Sequence, residues 1–100
     1  MAADYEVEIT SFAAKEFAAF ERSAQKKLAK ALERMPASPF VDAIKMKHQS
    51  DNLWRKKVSR DFRIIFAVFP PRKIRVLAFR LRTNKTYDDL DSLAKKGLDP

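Results

Sequence analysis

Cationic side chains crowd one stretch of this sequence, and their chemistry is the easiest to define. Between residues 53 and 82 the chain carries ten Lys and Arg but a single acid, Asp61. Guanidinium groups hold phosphate oxygens through paired hydrogen bonds, and crowded cations favour loss of a proton from Lys or Tyr. The stretch therefore predicts a site that binds a polyanion, most often a nucleic acid, and stabilises negative charge.

The expected site lies where the ends of neighbouring strands meet. Side chains two positions apart on a strand share a face, and a tight turn brings the start of the next strand beside them. Arginine at the end of a later strand, followed by a tyrosine, completes the arrangement with a ring that can stack on a base. The members of this predicted cluster are Arg55, Lys57, Arg63, Arg82 and Tyr87.

Other kinds of catalytic site have little support in the sequence. His48 is the sole histidine and falls in a predicted loop, so neither a His triad nor a His metal site can be built. A single glycine excludes a glycine-rich phosphate loop. Only Asp51 and Asp61 accompany the cations, so we expect no metal and no cofactor. Two readings stay open at this point: cations that bind phosphate without catalysis, and a solvated basic face that serves solubility.

The net charge is concentrated rather than spread along the chain. Residues 44–82 hold twelve Lys and Arg against two Asp and Glu, whereas each flanking segment has a net charge of −1. Essentially the whole +8 of the chain thus belongs to one block. A block of this kind focuses a positive potential, which favours the polyanion-binding interpretation.

Apolar periodicity predicts the elements that position these residues. One helix begins at Thr10 or Ser11 and a second near Ser23, and a Thr86-x-x-Asp89 capping pattern begins a last helix. The predicted strands are residues 5–9, 44–47, 53–58, 62–69 and 73–80. The polar positions of the second helix are expected to face solvent and nothing more: Lys26, Lys27, Lys30, Glu33 and Arg34.

These elements predict a single α+β domain over residues 1–100. It consists of an N-terminal strand, an α-hairpin, an antiparallel meander of three to four strands, and a short C-terminal helix. The helices pack on one face of the sheet, and the other face is left for function. The chain has no long apolar run and no Cys, so we expect no membrane span, no disulfide and a cytoplasmic location.

Three segments together resemble the RelE/ParE superfamily of toxins from bacterial and archaeal toxin–antitoxin pairs. In that superfamily a strand of similar sequence follows an α-hairpin and precedes a further strand that ends in Arg, with Tyr after it. The segments are Lys45-Met-Lys47, Leu53-Trp-Arg-Lys-Lys-Val-Ser59 and Asp61-Phe-Arg-Ile-Ile-Phe66, with the pair Arg82 and Tyr87 following. The resemblance covers residues 5–93 and implies a RelE-like fold.

What the resemblance implies is a ribosome-dependent mRNA endonuclease of the RelE branch. Such an enzyme cuts the A-site codon by attack of the ribose 2′-OH on the adjacent phosphate, and positioned cations carry the catalysis. Arg55 and Lys57 match the two basic strand positions, with Lys57 as the general base. Arg63 matches the Arg at the scissile phosphate, Arg82 the later Arg that supports transition-state charge, and Tyr87 the residue that orients the base. Further RNA contacts are expected from Lys45, Lys47, Lys56, Arg60 and Arg80.

The sequence departs from the family pattern at two positions and leaves two other functions open. Arg55 stands where RelE has Lys, and Phe62 replaces the more common Tyr. The ParE branch shares the fold but inhibits DNA gyrase, and it generally lacks the full set of cations. A catalytically inactive module that binds only an antitoxin or nucleic acid is the other alternative. The partners implied for the RelE branch are the ribosome, mRNA and a small acidic antitoxin.

Overall fold

The computed structural model describes residues 4–46 and 53–81 of the chain. The predicted last helix, from Thr86, lies outside the described residues. None of the helices in the described part is long and apolar enough to cross a membrane. The elements are β1 (Glu6–Ile9), α1 (Ser11–Ala19), α2 (Arg22–Arg34), β2 (Ala43–Lys45), β3 (Leu53–Val58), β4 (Phe62–Phe69) and β5 (Lys73–Leu81).

The five strands form one sheet in the order β1-β5-β4-β3-β2. Strands β2 to β5 are an antiparallel meander, and β1 adds to the edge of β5 in parallel. The predicted α+β architecture is therefore confirmed, with a four-stranded meander and the N-terminal strand as a fifth member. Glu8 on β1 is not simply solvated, because its carboxylate pairs with Lys73 Nζ at 2.7 Å and Arg75 Nε at 3.3 Å.

Side-chain hydrogen bonds cap the start of α1 and join its end to α2. Thr10 is the N-cap of α1, and its hydroxyl accepts a hydrogen bond from Ala13 N at 3.1 Å, as predicted. Helix α2 begins at Arg22, one residue before the predicted Ser23. The amide of Gln25 donates to Phe17 O at 3.0 Å, a carbonyl near the end of α1 that also accepts from Phe20 N at 3.2 Å. The two helices are thereby tied together.

Both helices cover one face of the sheet, and the main core lies between them. Fully buried side chains on this side include Leu28 and Met35 from the α2 region and Phe66, Ile74 and Phe79 from the central strands. Phe40, from the loop after α2, is partly exposed and packs its ring against those of Trp54 and Phe66 at the margin of this core. The helices on one face were thus predicted correctly.

The opposite face carries a second buried cluster that the sequence analysis did not predict. Its members are Met46, Leu53, Ile65, Ala67, Leu77 and Ala78. The register between β4 and β5 shifts between Ile65 and Phe66, so that two consecutive residues, Leu77 and Ala78, both join this cluster. Only the periphery of this face is therefore available for function, since its centre is apolar and buried.

Glu16 of α1 covers the edge of β5 beyond the point where β1 ends. Its carboxylate accepts a hydrogen bond from Phe79 N at 3.1 Å and pairs with Arg80 Nε at 3.2 Å. The edge N–H of a strand otherwise offers a template for pairing with another chain. One side chain from the hairpin therefore both closes the sheet edge and fixes a cation at the end of β5.

We expect Glu16→Ala to lower the free energy of unfolding by about 2–3 kcal/mol, because the Phe79 N–H loses its acceptor and Arg80 loses a carboxylate. Glu16→Gln keeps an oxygen for that N–H but not the charge, so a loss of about half that size is expected. Urea titrations with an unchanged slope measure both. The exposed Glu33→Ala is the matched control; an equal loss in Glu33→Ala would contradict the edge role of Glu16.

Candidate functional site

A row of three cations crosses the sheet at the end where β3 turns into β4. Lys57 on β3 is the direct partner of Arg63 on β4, and Arg63 is the direct partner of Arg80 on β5. Directly opposed residues of antiparallel strands have their Cβ atoms about 5 Å apart. We call Lys57, Arg63 and Arg80 the cationic row. It concentrates three positive charges within the width of three strands.

Arg55 lies next to the cationic row. It sits two residues before Lys57 on β3, so both side chains leave the same face of the strand. The partner of Arg55 on β4 is Ile65, two residues beyond Arg63. The structure thus brings Arg55, Lys57 and Arg63 together as the strand period and the turn predicted.

The turn at residues 59–61 sets this geometry. Val58 pairs with Phe62, so the chain reverses within three residues, and Ser59 takes up the change with a φ of 54°. The guanidinium of Arg63 folds along the turn, where its Nη1 donates to Phe62 O at 2.8 Å and to Arg60 O at 3.4 Å. Arg60 itself is exposed on the turn, beside the row. The charge of Arg63 is therefore held in place by backbone carbonyls.

The three cations of the row differ in how their charge is balanced. Arg80 pairs with Glu16, and its guanidinium lies 5.8 Å from the centre of the Phe12 ring. Lys57 and Arg63 form no ion pair with any residue of the described segments 4–46 and 53–81. Like charges directly opposite each other destabilise a sheet. The arrangement is therefore suited to an external anion at Lys57 and Arg63.

Lys56 corrects one sequence-based prediction. Lys56 lies on the side of the sheet that the helices cover and is only 6 % exposed. Its Nζ donates a hydrogen bond to Val41 O at 2.5 Å. Burial lowers the pKa of Lys56, an effect that the nearby Asp42 carboxylate partly opposes. The prediction that Lys56 contacts RNA is wrong for this structure, because its amine is turned into the protein.

Lys45 is also separated from the cationic row. It is exposed on β2 and is the direct partner of Trp54, whose ring packs against the helix-side core. Lys45 therefore leaves the opposite face from Lys57 and remains only a candidate contact at the sheet edge. Lys47, His48, Arg82 and Tyr87 lie outside the described residues. Within the described residues, no group of three or more His, Asp or Glu is arranged to hold a metal ion.

Glu16 is the residue of this region that sequence reasoning missed. It stands 63 positions before its hydrogen-bond partner Phe79, and nothing in its local pattern separates it from a solvated helix carboxylate. The pairing with Arg80 depends on α1 lying across the end of β5. Only the packed structure brings the two elements together.

Comparison with solved structures identifies the fold. The RelE of the archaeal RelE–RelB complex from Pyrococcus horikoshii OT3 superposes with a TM-score of 0.69 at 21% identity, over 81% of this chain and 98% of that one. The E. coli RelBE toxin–antitoxin complex superposes with a TM-score of 0.64 at 17% identity, over 80% of this chain and 99% of the matched chain. The isolated E. coli RelE toxin superposes with a TM-score of 0.64 at 16% identity, over 89% of this chain and 98% of that one. No family model matches the sequence, and no curated protein does.

The order of the helices and strands and the sheet topology are those of a small α+β fold that these toxin structures share. The chain has a RelE-like fold, which confirms the fold that the sequence resemblance predicted.

Lys56→Met should reveal the buried amine through the pH dependence of stability. The pKa of Lys56 is lower in the folded chain than its ordinary value of 10.5, so between the two values the unfolded chain binds more protons. The free energy of unfolding of the wild type therefore rises with pH relative to Lys56→Met in that window. Denaturant titrations between pH 7 and pH 10 measure the difference. Lys26→Met, an exposed change of the same type, is the control; a difference that stays constant with pH would refute the assignment.

Proposed function

We propose that this chain is the toxin of a type II toxin–antitoxin pair and that it acts as a ribosome-dependent, metal-independent mRNA endonuclease. The observation that carries the proposal is the cationic row, which places Lys57 and Arg63 side by side, neither of them in an ion pair with a carboxylate of the described residues. The RelE-like fold and the presence of RelE toxins among its structural neighbours support the toxin role. A cytoplasmic location follows from a ribosomal target.

Cleavage by the ribose 2′-OH requires three things of the site. A base must take the proton of the 2′-OH, cations must stabilise the charge on the phosphate, and the 5′ oxygen must leave with a proton. The products are a 2′,3′-cyclic phosphate and a 5′-OH. In the proposed mechanism Lys57 is the base and Arg63 binds the non-bridging oxygens of the scissile phosphate.

Two further residues complete the proposed site from outside the described part of the chain. In the sequence, Arg82 comes directly after Leu81, the last described residue of β5. By the family resemblance, Arg82 supports the charge that develops in the transition state and Tyr87 orients the base. Arg55 and Arg60 extend the positive surface on either side of the row and are proposed to hold neighbouring phosphates.

The proposed catalytic role of the row is tested by removing its cations one at a time. Lys57→Ala, Arg63→Ala and Arg82→Ala are each expected to lower the rate of codon cleavage by about 10²–10³, the typical loss when one charge-stabilising group or one base is removed. Primer extension on an mRNA that is being translated measures the cuts. Lys26→Ala, an exposed cation on α2, is the matched control and should cleave like the wild type.

The same set of variants separates this function from the alternatives. Growth inhibition by Arg63→Ala equal to that of the wild type, with no cuts in mRNA, would refute the endonuclease. Loss of plasmid supercoiling with intact mRNA would instead indicate a gyrase inhibitor of the ParE type. Expression of the wild type without any growth defect would indicate an inactive binding module.

A protein partner follows from the proposed toxicity. An active RNase of this kind must be neutralised, so a small antitoxin with an acidic toxin-binding half is expected. Such a segment folds as it wraps its target, which makes a large contact from a short chain. The neighbouring reading frame should encode this protein, and its co-expression should restore growth. A toxic chain with no short acidic neighbour and no rescue would contradict this part of the proposal.

A further inference from the structure

The aromatic ring of Phe12 lies at the outer end of the cationic row, and the function proposed above makes no use of it. Phe12 is the second residue of α1, and its side chain is 37 % exposed. The guanidinium carbon of Arg80 lies 5.8 Å from the centre of this ring, which is within the range of a cation–π contact. A surface ring and a cation of the row are therefore neighbours.

Helix α1 brings these two groups together because it lies along β5 beyond the end of β1. Strand β1 pairs with β5 only as far as Val76, and α1 contacts the strand as well. Phe12 and Glu16 are four residues apart, so they leave the same face of α1. That face meets the edge of β5, since Glu16 accepts a hydrogen bond from Phe79 N at 3.1 Å and pairs with Arg80 Nε at 3.2 Å.

The Arg80 side chain is held in place before any ligand arrives. Its Nε atom is buried against the Glu16 carboxylate, while 18% of the side-chain surface remains exposed. Arginine binds phosphate through a planar fork of donors and can stack on an aromatic ring. A side chain that is already fixed by a carboxylate and a ring loses less affinity to ordering when it binds an anion.

The row and the ring lie in the order that a single nucleic-acid strand would meet them. The function proposed above places the scissile phosphate at Lys57 and Arg63, on β3 and β4. Arg80 is the direct partner of Arg63 on β5, one strand spacing of about 5 Å further on. Phe12 follows, on the α1 side of Arg80. A strand that crosses the sheet from Arg63 thus meets a second cation and then a ring.

This combination of groups is the chemistry that recognises single-stranded nucleic acid. Such strands are held by cations that follow the backbone and by aromatic rings on which the bases stack. Lys57 and Arg63 form no ion pair within the described residues, so a polyanion that reaches Arg80 has further cations along its path. The row supplies the charge, and Phe12 supplies the ring.

We propose that Phe12 and Arg80 form a subsite for one nucleotide of single-stranded RNA, next to the nucleotide whose phosphate is cleaved. The ring of Phe12 stacks on the base, and the guanidinium of Arg80 binds the phosphate. This inference rests on the proposed function for the path of the RNA strand, whereas the stacking rests on the ring and its cation. Because every base has a π face, the subsite adds affinity for many sequences.

Binding of a 2′-O-methyl hexaadenylate, which cannot be cleaved through its 2′ oxygen, tests the subsite on the full chain. Fluorescence anisotropy of the labelled oligonucleotide measures the Kd. Loss of one base–ring stack typically weakens binding about tenfold, and we expect that rise in Kd for Phe12→Leu, which keeps an apolar side chain without a ring. Phe12→Trp keeps a ring and should bind at least as tightly as the wild type.

Phe40→Leu is the matched control for loss of an exposed ring. Phe40 is also 37 % exposed, but it packs against Trp54 on the side of the sheet that the helices cover, away from the row. Its Kd should stay within twofold of the wild type, and thermal unfolding verifies that every variant folds. Equal losses in Phe12→Leu and Phe40→Leu, or no measurable binding by the wild type, would overturn the proposal.

An abasic residue in the oligonucleotide shows whether the ring contacts a base. It is placed at each of the six positions in turn. In the wild type one position should raise the Kd about tenfold, and in Phe12→Leu that loss should disappear because the ring is already absent. Abasic losses that are the same in both chains at every position would contradict the stacking.

Salt dependence separates the ring from the cation. The slope of log Kd against log salt reports the number of phosphates that the protein neutralises, about 0.7 for each phosphate of a single strand. Arg80→Gln should lower the slope by about this amount, whereas Phe12→Leu should leave it unchanged. An unchanged slope in Arg80→Gln would refute the phosphate contact.

None of these measurements depends on cleavage. A chain that shows the abasic effect but never cuts mRNA would sustain the subsite and refute only the proposed endonuclease. A chain that cuts mRNA, with abasic losses that do not depend on Phe12, would refute only the subsite. If the ring instead holds a second copy of the chain, sedimentation should show dimers that Phe12→Leu abolishes, and that result would also overturn the proposal.

Discussion

Burial of the two central strands on both faces is the constraint on which the rest of this structure depends. In β4, Phe62, Ile64 and Phe66 face the helices while Ile65 and Ala67 face the other way, and all five are buried. A charge cannot be left unpaired in such an interior without a large desolvation cost. The middle of the sheet is therefore closed to cations. Within β4 and β5, Lys and Arg occur only near the strand ends, as Arg63, Lys73, Arg75 and Arg80.

At one end of the sheet this constraint produces the cationic row. Lys57, Arg63 and Arg80 occupy the first positions beyond the buried centre, and the turn at residues 59–61 holds two of them in direct register. At the other end Lys73 and Arg75 share the carboxylate of Glu8, whose pKa is lowered first of all by the hydrogen bond from Lys73. The two ends therefore differ: at one end both cations pair with a carboxylate of the chain, whereas at the other Lys57 and Arg63 form no ion pair within the described residues.

The α-hairpin contributes more than a cover for the core. Glu16 closes the edge of β5 and fixes Arg80, so the outer member of the row is positioned by a residue of α1. On the other side of the hairpin, α2 lies along the loop that is tied to Lys56 and Lys57, and a positively charged groove remains between them. Helix α1 thus positions one end of the cationic row through contacts between residues far apart in the sequence.

By itself the sequence determined the α+β class, the order of the elements and the convergence of Arg55, Lys57 and Arg63, because alternation and turn length are local properties of the chain. Only the tertiary structure decided which cations face outward. Lys56 and Lys57 are neighbours of the same type, yet the pleat of β3 directs the first into the protein and the second to the surface. Three other features likewise arise where distant segments pack: the ion pair of Glu16 with Arg80, the apolar centre of the second face, and the groove between α2 and β3. Their physical cause is the packing of helices on a sheet, which no local pattern encodes.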